Sequence, residues 1–331
     1  MQALVLEGIH QPLQLQEVPD LVPTAGEVVV QLQAAALNHR DVWIQKGQYA
    51  GLHFPAILGS DGAGVVTEAA DANTAWMGKE VIINPGMNWG NNPQAQAKSF
   101  KILGMPDPGT FAQYVKVPVT HIVSKPAHLT PEQAAALPLA GLTGYRALFS
   151  RAAVRAGEKV LITGIGGGVA LLVLQFAVAA GAEVYVTSGS DEKITQAMQR
   201  GARGGANYTQ ANWSETLKAQ ASAFDVIIDS AAGDGFARLI DLADEGGRIV
   251  FYGGTQGTIN GVIPGKVFWK QLSILGTTMG SEFEFGEMVK FVEKHRIVPV
   301  VSKIFPLHQG NEALQYMKDT AQFGKIVLRM G

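Results

Sequence analysis

The sequence predicts an α/β chain in which a β-rich part accompanies a doubly wound parallel sheet. Three observations carry this. Short β-branched segments broken by Gly and Pro fill the first third of the chain. Strands alternate with helices through the middle. A run of glycines lies where one of those strands gives way to a helix. At 331 residues the chain exceeds one ordinary core and is expected to form two domains.

In the first third, Glu27-Val28-Val29-Val30-Gln31-Leu32, Gly62-Ala63-Gly64-Val65-Val66-Thr67-Glu68 and Glu80-Val81-Ile82-Ile83 read as strands entered from turns. Their frequent Gly and Pro punctuation suits a barrel of short strands. Residues 84–109 are polar and contain Gly and Pro, and are expected to form a surface lobe. Residues 131–139 and 143–151 suggest helices. Strands are expected at 159–163, 183–187, 225–229 and 247–252, with helices at 169–180 and 192–200. That alternation means a parallel sheet with helical crossovers. A helix at 287–295 and a strand at 325–328 end the pattern, with no internal repeat.

Composition narrows the function. Hydrophobic residues make up 47% and charged residues 16%, the balance of a packed globule rather than a disordered chain. The net charge of −2 and the absence of a basic run argue against a nucleic-acid partner. There are no cysteines, so neither disulfides nor thiolate-bound metals are possible. The N-terminal residues lack a signal-peptide pattern, and no apolar stretch is long enough to span a bilayer. A cytoplasmic protein without a membrane partner is expected.

The run Thr163-Gly164-Ile165-Gly166-Gly167-Gly168-Val169-Ala170 follows a predicted strand and opens a predicted helix, the context a dinucleotide site requires. Glycines let the backbone approach a pyrophosphate, and the helix N-terminus offers free N–H groups and partial positive charge. Gly164, Gly167 and Ala170 fit a G-x-x-G-x-x-A pattern better than a strict G-x-G-x-x-G. The competing reading is a glycine turn in some other α/β sheet. The next strand ends Val186-Thr187-Ser188-Gly189-Ser190, with no carboxylate at its tip to take a ribose 2′-hydroxyl. Ser188, Ser190 and Lys193 offer donors to a 2′-phosphate instead, so NADPH is expected over NADH. Ser190 reads equally as a helix cap, and the two roles are compatible.

Several segments together resemble the medium-chain dehydrogenase/reductase family, in particular its zinc-free quinone oxidoreductase branch and the bacterial zinc-type alcohol dehydrogenase-like proteins. They are Ala36-Leu37-Asn38-His39-Arg40-Asp41, Pro55-Ala56-Ile57-Leu58-Gly59-Ser60-Asp61-Gly62-Ala63-Gly64, Gly109-Thr110-Phe111-Ala112-Gln113-Tyr114-Val115, Leu142-Thr143-Gly144-Tyr145-Arg146-Ala147-Leu148 and the glycine turn. The resemblance covers nearly the whole chain. It implies a GroES-like catalytic domain from residues 1–124 and 279–331, a Rossmann domain from 125–278, and an active site in the cleft between them.

The resemblance also places candidates. Where zinc-dependent relatives carry a ligand cysteine this chain has Asn38, and where they carry His-Glu it has Ser60-Asp61. Ala140 stands near the third ligand position, and 84–109 lacks the four cysteines of a structural site. No zinc is therefore expected. Asn38 and Tyr49 match residues that line the nicotinamide cleft, and Trp43 stands at a position where a relative carries Tyr. His39 is a candidate proton relay and Asp41 a further catalytic candidate, though Asp41 reads equally as a helix cap. The expected cofactor contacts are Thr143, Gly164, Gly166, Gly167, Gly168, Val169, Ser188, Ser190, Lys193, Tyr208, Gly253, Gly254, Thr277 and Lys325.

The expected activity is zinc-independent hydride transfer from NADPH to a small-molecule quinone, enone or related activated carbonyl. Alcohol or aldehyde dehydrogenation is one alternative, and a non-catalytic NADPH-binding or RNA-binding role is another. The apolar segment Leu272-Ser273-Ile274-Leu275 is expected at a sheet edge, where pairing gives a homodimer.

Overall fold

The computed structural model describes residues 1–319 and 322–331, leaving aside the side chains of 71–73. The chain opens with β1 (Gln2–Leu6), β2 (Leu13–Glu17), β3 (Glu27–Ala36) and α1 (His39–Gln45). There follow β4 (Ala56–Ile57), β5 (Asp61–Ala69), β6 (Glu80–Ile83), β7 (Gly86–Met87), β8 (Lys101–Ile102), β9 (Tyr114–Pro118) and β10 (Ile122–Ser124). Helices α2 (Pro131–Ala135) and α3 (Pro138–Tyr145) lead through a π-helical turn, Arg146–Arg151, to β11 (Lys159–Ile162). Alternation then sets in: α4 (Gly168–Ala179), β12 (Glu183–Ser188), α5 (Asp191–Met198), β13 (Gly204–Asn207), α6 (Trp213–Ala221), β14 (Phe224–Asp229), α7 (Phe236–Leu242), β15 (Ala243–Phe251), α8 (Pro264–Trp269) and β16 (Ser273–Gly276). The chain closes with α9 (Glu282–His295), β17 (Val301–Pro306), α10 (Gly310–Lys318) and β18 (Lys325–Arg329). The chain divides into two units, one of Met1–Leu142 with Gly280–Gly331 and one of Thr143–Met279.

The first unit is built on β3. Its alternating and then continuous apolar residues pair antiparallel with β5, β9 and β18, and β17 adds parallel to β18. β6 and β10 extend the β5 side. Leu4, Val28, Val30, Leu32, Leu58, Phe111, Ile326 and Leu328 fill the core, each at most 3% exposed. Burial of each large aliphatic group contributes roughly 1.5–3 kcal/mol. The segment 84–109 differs from the expected surface lobe: Trp89 is 1% exposed and meets Phe100 edge-on at 5.3 Å. Leu103 and Met105 enter the same core. Its apolar residues are few, but Met87, Trp89, Leu103 and Met105 are buried.

In the second unit six parallel strands lie in the order β13-β12-β11-β14-β15-β16. Counted from the first strand this is 3-2-1-4-5-6, the doubly wound order whose reversal, between β11 and β14, opens a crevice at the strand ends. β11 and β14 are buried, as central strands covered on both faces must be. The GroES-like and Rossmann-type folds expected from the sequence are both present. The division falls after Leu142 rather than after residue 124. Residues 125–142 stay with the first unit because α2 packs on β3 and β5, and the Leu139 N–H donates to Asp61 at 2.8 Å. Among the described residues, no helix is long and apolar enough to cross a membrane.

Candidate active site and cofactor cradle

Two sets of functional candidates emerge, one in each unit. The first begins at the N-terminus of α1. Asn38 is its extended N-cap residue, and its backbone N–H donates to the Asp41 carboxylate, Oδ2, at 2.8 Å. That bond is one half of a capping box and fixes the chain's entry into the helix. Asp41 is fully buried and its Oδ1 has no partner among the described residues. Burial pushes its pKa up to about 6, against the pull of the Arg40 guanidinium, the Asn38 N–H and the Lys325 ammonium. The structure thus places Asp41 as a helix cap.

The Asn38 side chain faces a different group of partners. Its Nδ2 donates to Asp61 Oδ2 at 2.9 Å, and its Oδ1 accepts from the Lys325 ammonium at 2.6 Å. Lys325 also donates to Asp61 Oδ2 at 2.9 Å and to the Leu37 carbonyl at 2.7 Å. Asp61 is 0%, Lys325 5% and Asn38 7% exposed. A buried charge pair persists only when its remaining polar capacity is met, and here it is: all three ammonium hydrogens are placed, and Asp61 Oδ1 takes the Leu139 N–H. Lys325, expected among the cofactor contacts, has its donors committed inside the first unit.

Around this trio, Arg40 Nη1 donates to Ser60 Oγ at 2.7 Å and to the Leu103 carbonyl at 2.8 Å, while Ser60 Oγ donates to that same carbonyl at 2.8 Å. The half-buried Tyr49 hydroxyl accepts from Arg40 Nε at 3.3 Å, and the guanidinium carbon lies 5.0 Å from the Tyr49 ring centre. His39, next to Asn38, keeps solvent access. Partial burial, then the Lys325 charge, hold its pKa below the ordinary imidazole value, so it is neutral at pH 7.

These residues do not fit zinc. The space between Asn38 Oδ1 and Asp61 Oδ2 holds an ammonium, which would repel a divalent cation. The Ser60 hydroxyl is already spent on Arg40 and Leu103. Carboxamide and hydroxyl oxygens are in any case poor zinc ligands beside Cys and His. Among the described residues no group of three or more His, Cys, Asp or Glu side chains is arranged to hold a metal.

The second set lies at the carboxyl ends of β11, β12, β14 and β15. Gly164 has φ +66° and Gly166 φ +122°, both left-handed-side conformations that suit glycine. A Cβ on Gly164 would stand 2.7 Å from Ser230 Oγ, and one on Gly166 would stand 2.9 Å from Lys193 Cδ. Gly167 is the N-cap of α4 with no side chain capping it, so Gly168 and Val169 begin the helix with their N–H groups uncapped. Those are the properties of a pyrophosphate cradle. Lys193 lies against the turn, its Nζ 3.5 Å from the position of a Gly166 Cβ.

At the tip of β12 the Ser188 hydroxyl is buried and donates to the Ile165 carbonyl at 3.3 Å. Ser190 caps α5, accepting from the Lys193 N–H at 3.3 Å. Tyr208 is half exposed and its ring covers Gly189, so a Cβ there would meet the hydroxyl at 3.0 Å. Gly253 runs close to the Ser230 carbonyl, while Gly254 is open. Thr143 is buried on Met279, and Thr277 carries a buried hydroxyl without a partner among the described residues.

The glycine cradle and the unpartnered Thr277 hydroxyl fit a nicotinamide dinucleotide. Sequence reasoning missed Ser230 as a second wall of the turn. It missed Arg40, and it noted Ser60 and Asp61 only as places where zinc ligands had been lost. The bond from Thr163 Oγ1 to Asp229 Oδ1, 2.6 Å, ties the ends of β11 and β14 at the switch point. Thr163 and Asp229 each end a predicted strand, and that was the available signal.

A doubly wound sheet carrying this turn, on a chain that also folds a GroES-like unit, defines a dinucleotide-using oxidoreductase. Comparison with known proteins agrees. Residues 24–127 match the alcohol dehydrogenase GroES-like domain, and residues 168–294 match the zinc-binding dehydrogenase domain. A zinc-type alcohol dehydrogenase-like protein of Leptosphaeria maculans is 36% identical over 97% of this chain and 96% of its own length. An acryloyl-coenzyme A reductase of Metallosphaera sedula is 29% identical over 99% of both chains, and a mouse quinone oxidoreductase is 29% identical over 93% of this chain and 90% of its own. The crystal structure of an NAD-dependent alcohol dehydrogenase superposes with a TM-score of 0.92 at 34% identity, covering 100% of each chain. The chain belongs to the medium-chain dehydrogenase/reductase family of oxidoreductases, whose members use a nicotinamide cofactor.

Proposed function

We propose that this protein is a zinc-independent, NADPH-dependent reductase of quinones, enones or related conjugated carbonyl compounds. The observation that carries the reading is the Lys325 ammonium buried between Asn38 and Asp61, in a donor set unsuited to zinc. Polarisation of the acceptor then rests on hydrogen bonds, which favours substrates already activated by conjugation. The names of the acryloyl-coenzyme A reductase and quinone oxidoreductase relatives support the same substrate class.

A bound reduced nicotinamide supplies the hydride. The chain's own residues do the rest. The turn at Gly164, Gly166 and Gly167 and the start of α4 hold the pyrophosphate. Gly253, Gly254, Thr277 and Thr143 fix the nicotinamide side. Ser190, Lys193 and Tyr208 take the adenosine phosphate, with Ser188 shaping the turn from beneath. Asn38 and Tyr49 donate toward the substrate oxygen as charge develops on it, and neutral His39, in contact with solvent, passes a proton. Because β16 pairs only with β15 among the described strands, and Phe268 and Trp269 beside it are 68% and 83% exposed, the reading includes a homodimer joined along this edge.

A panel of quinones, enones and simple alcohols, assayed with each cofactor, tests the proposal. Turnover of conjugated acceptors with NADPH, unchanged by chelator, is expected. Activity on alcohols that rises with added zinc would overturn the zinc-free reading. A preference for NADH, the cofactor class in the name of the solved relative, would overturn the cofactor assignment.

A further inference from the structure

Resting on that reading, we infer that Lys325 and Asp61 are positioning residues that lock the Asn38 carboxamide, and that its one uncommitted Nδ2–H is the donor to the substrate carbonyl oxygen.

The three side chains close a ring of hydrogen bonds. Lys325 Nζ reaches Asn38 Oδ1 at 2.6 Å and Asp61 Oδ2 at 2.9 Å, and Asn38 Nδ2 reaches the same Asp61 oxygen at 2.9 Å. A free carboxamide can flip, exchanging its O and NH2. Here a flip would set NH2 against an ammonium and oxygen against a carboxylate, in a site where every member is nine-tenths or more buried. One orientation is therefore enforced by charge.

An asparagine amide carries two N–H groups. One is spent on Asp61. The other has no partner among the described residues. The ammonium on Oδ1 draws electron density from the amide and strengthens that remaining donor, as hydrogen bonds in a chain polarise one another. A positive charge thus reaches the substrate oxygen through an amide rather than through a metal. Lys325 cannot itself move to the substrate without giving up Leu37, Asn38 or Asp61. Its role is to set the geometry and strength of a neighbour.

The test combines kinetics with an exchange measurement. Asn38→Ala is expected to lower kcat on a conjugated acceptor by about 10²–10³-fold, the usual loss for one oxyanion donor. Lys325→Met alone leaves Asp61 buried and unpaired and is at risk of unfolding, so the charge-neutral pair Lys325→Met/Asp61→Asn is used. It is expected to lower kcat and kcat/KM together by at least about tenfold, as loss of a transition-state interaction does, with the affinity for NADPH unchanged. Wild-type kcat in the pair would overturn the inference.

Independently of turnover, selective 15N labelling of asparagine resolves the two Asn38 Nδ2 hydrogens, assigned by their absence in Asn38→Ala. The hydrogen bonded to Asp61 is expected to exchange with solvent more slowly than the other. The paired variant is expected to make them alike. Equal protection in the wild type would overturn the inference even if no member of the panel is reduced, whereas failure of the panel alone refutes the substrate class.

Discussion

The two candidate regions solve the handling of charge by opposite means. In the second unit, the N–H groups of Gly164 and Ile165 are tied to Thr187, and the turn then leads into an uncapped helix start with a lysine alongside. In the first unit, a lysine and an aspartate are withdrawn from water and satisfied before any ligand arrives. One region is prepared to receive charge, the other carries its own. The first kind depends on the absence of side chains, the second on several side chains meeting across the sequence. They should break differently.

The largest effect is expected at the turn. Gly166→Val adds a branched side chain at φ +122°, with its Cβ 2.9 Å from Lys193 Cδ. Backbone strain of about 1–3 kcal/mol is expected, together with loss of at least about a hundredfold in cofactor affinity. Fluorescence titration with NADPH measures the second and thermal unfolding the first. Unimpaired binding would show that the glycines do not form the cradle.

An intermediate effect is expected from Asp41→Asn. The folded-state pKa of about 6 lies above the ordinary aspartate value, so the folded protein holds this proton more tightly than the unfolded chain. Stability is therefore expected to fall as pH rises from about 4 to about 6 and to stay lower above that, by about 3 kcal/mol. Asparagine keeps an acceptor for the Asn38 N–H and removes the buried charge. Urea unfolding at several pH values should show the slope in the wild type and a smaller slope in the variant. Retention of most activity would separate Asp41, a cap, from Asn38, the donor beside it.

The smallest effect is expected from Lys193→Ala. A charge-assisted contact to a phosphate is worth about 1.5–3 kcal/mol, so affinity for NADPH should fall about ten- to a hundredfold while that for NADH changes little. Parallel titrations with the two cofactors read the ratio. An equal loss for both would assign Lys193 to the pyrophosphate, consistent with its place beside Gly166.

The same contrast explains what could be read from the sequence. The parallel sheet and its turn were legible because each strand and glycine states its constraint locally: β11, the turn and α4 are consecutive. The cap at Asp41 was legible for the same reason. The Lys325–Asp61 pair was not, because 264 positions separate the partners and only the pairing of β18 with β3 and of β3 with β5 brings them together. From the sequence alone, Lys325 matched a cofactor contact and Asp61 a lost zinc position. Neither reading anticipates that the two neutralise one another. The boundary after Leu142 was missed for a related reason. Nothing local in 125–142 announces that Leu139 will bond to a residue 78 positions earlier.

The pairing of β18 with β3 also orders events during synthesis. Residues 143–279 form one uninterrupted stretch and can complete their sheet while the remainder is still being translated. The first unit cannot. Its central strand emerges early and must wait for a strand nearly 290 positions later. Until Lys325 leaves the ribosome, Asp61 lacks its ammonium partner and the Ala34–Ala36 end of β3 lacks its β18 neighbour. Long-range closure of this kind slows folding and leaves an aggregation-prone interval. The first unit is therefore begun first and finished last.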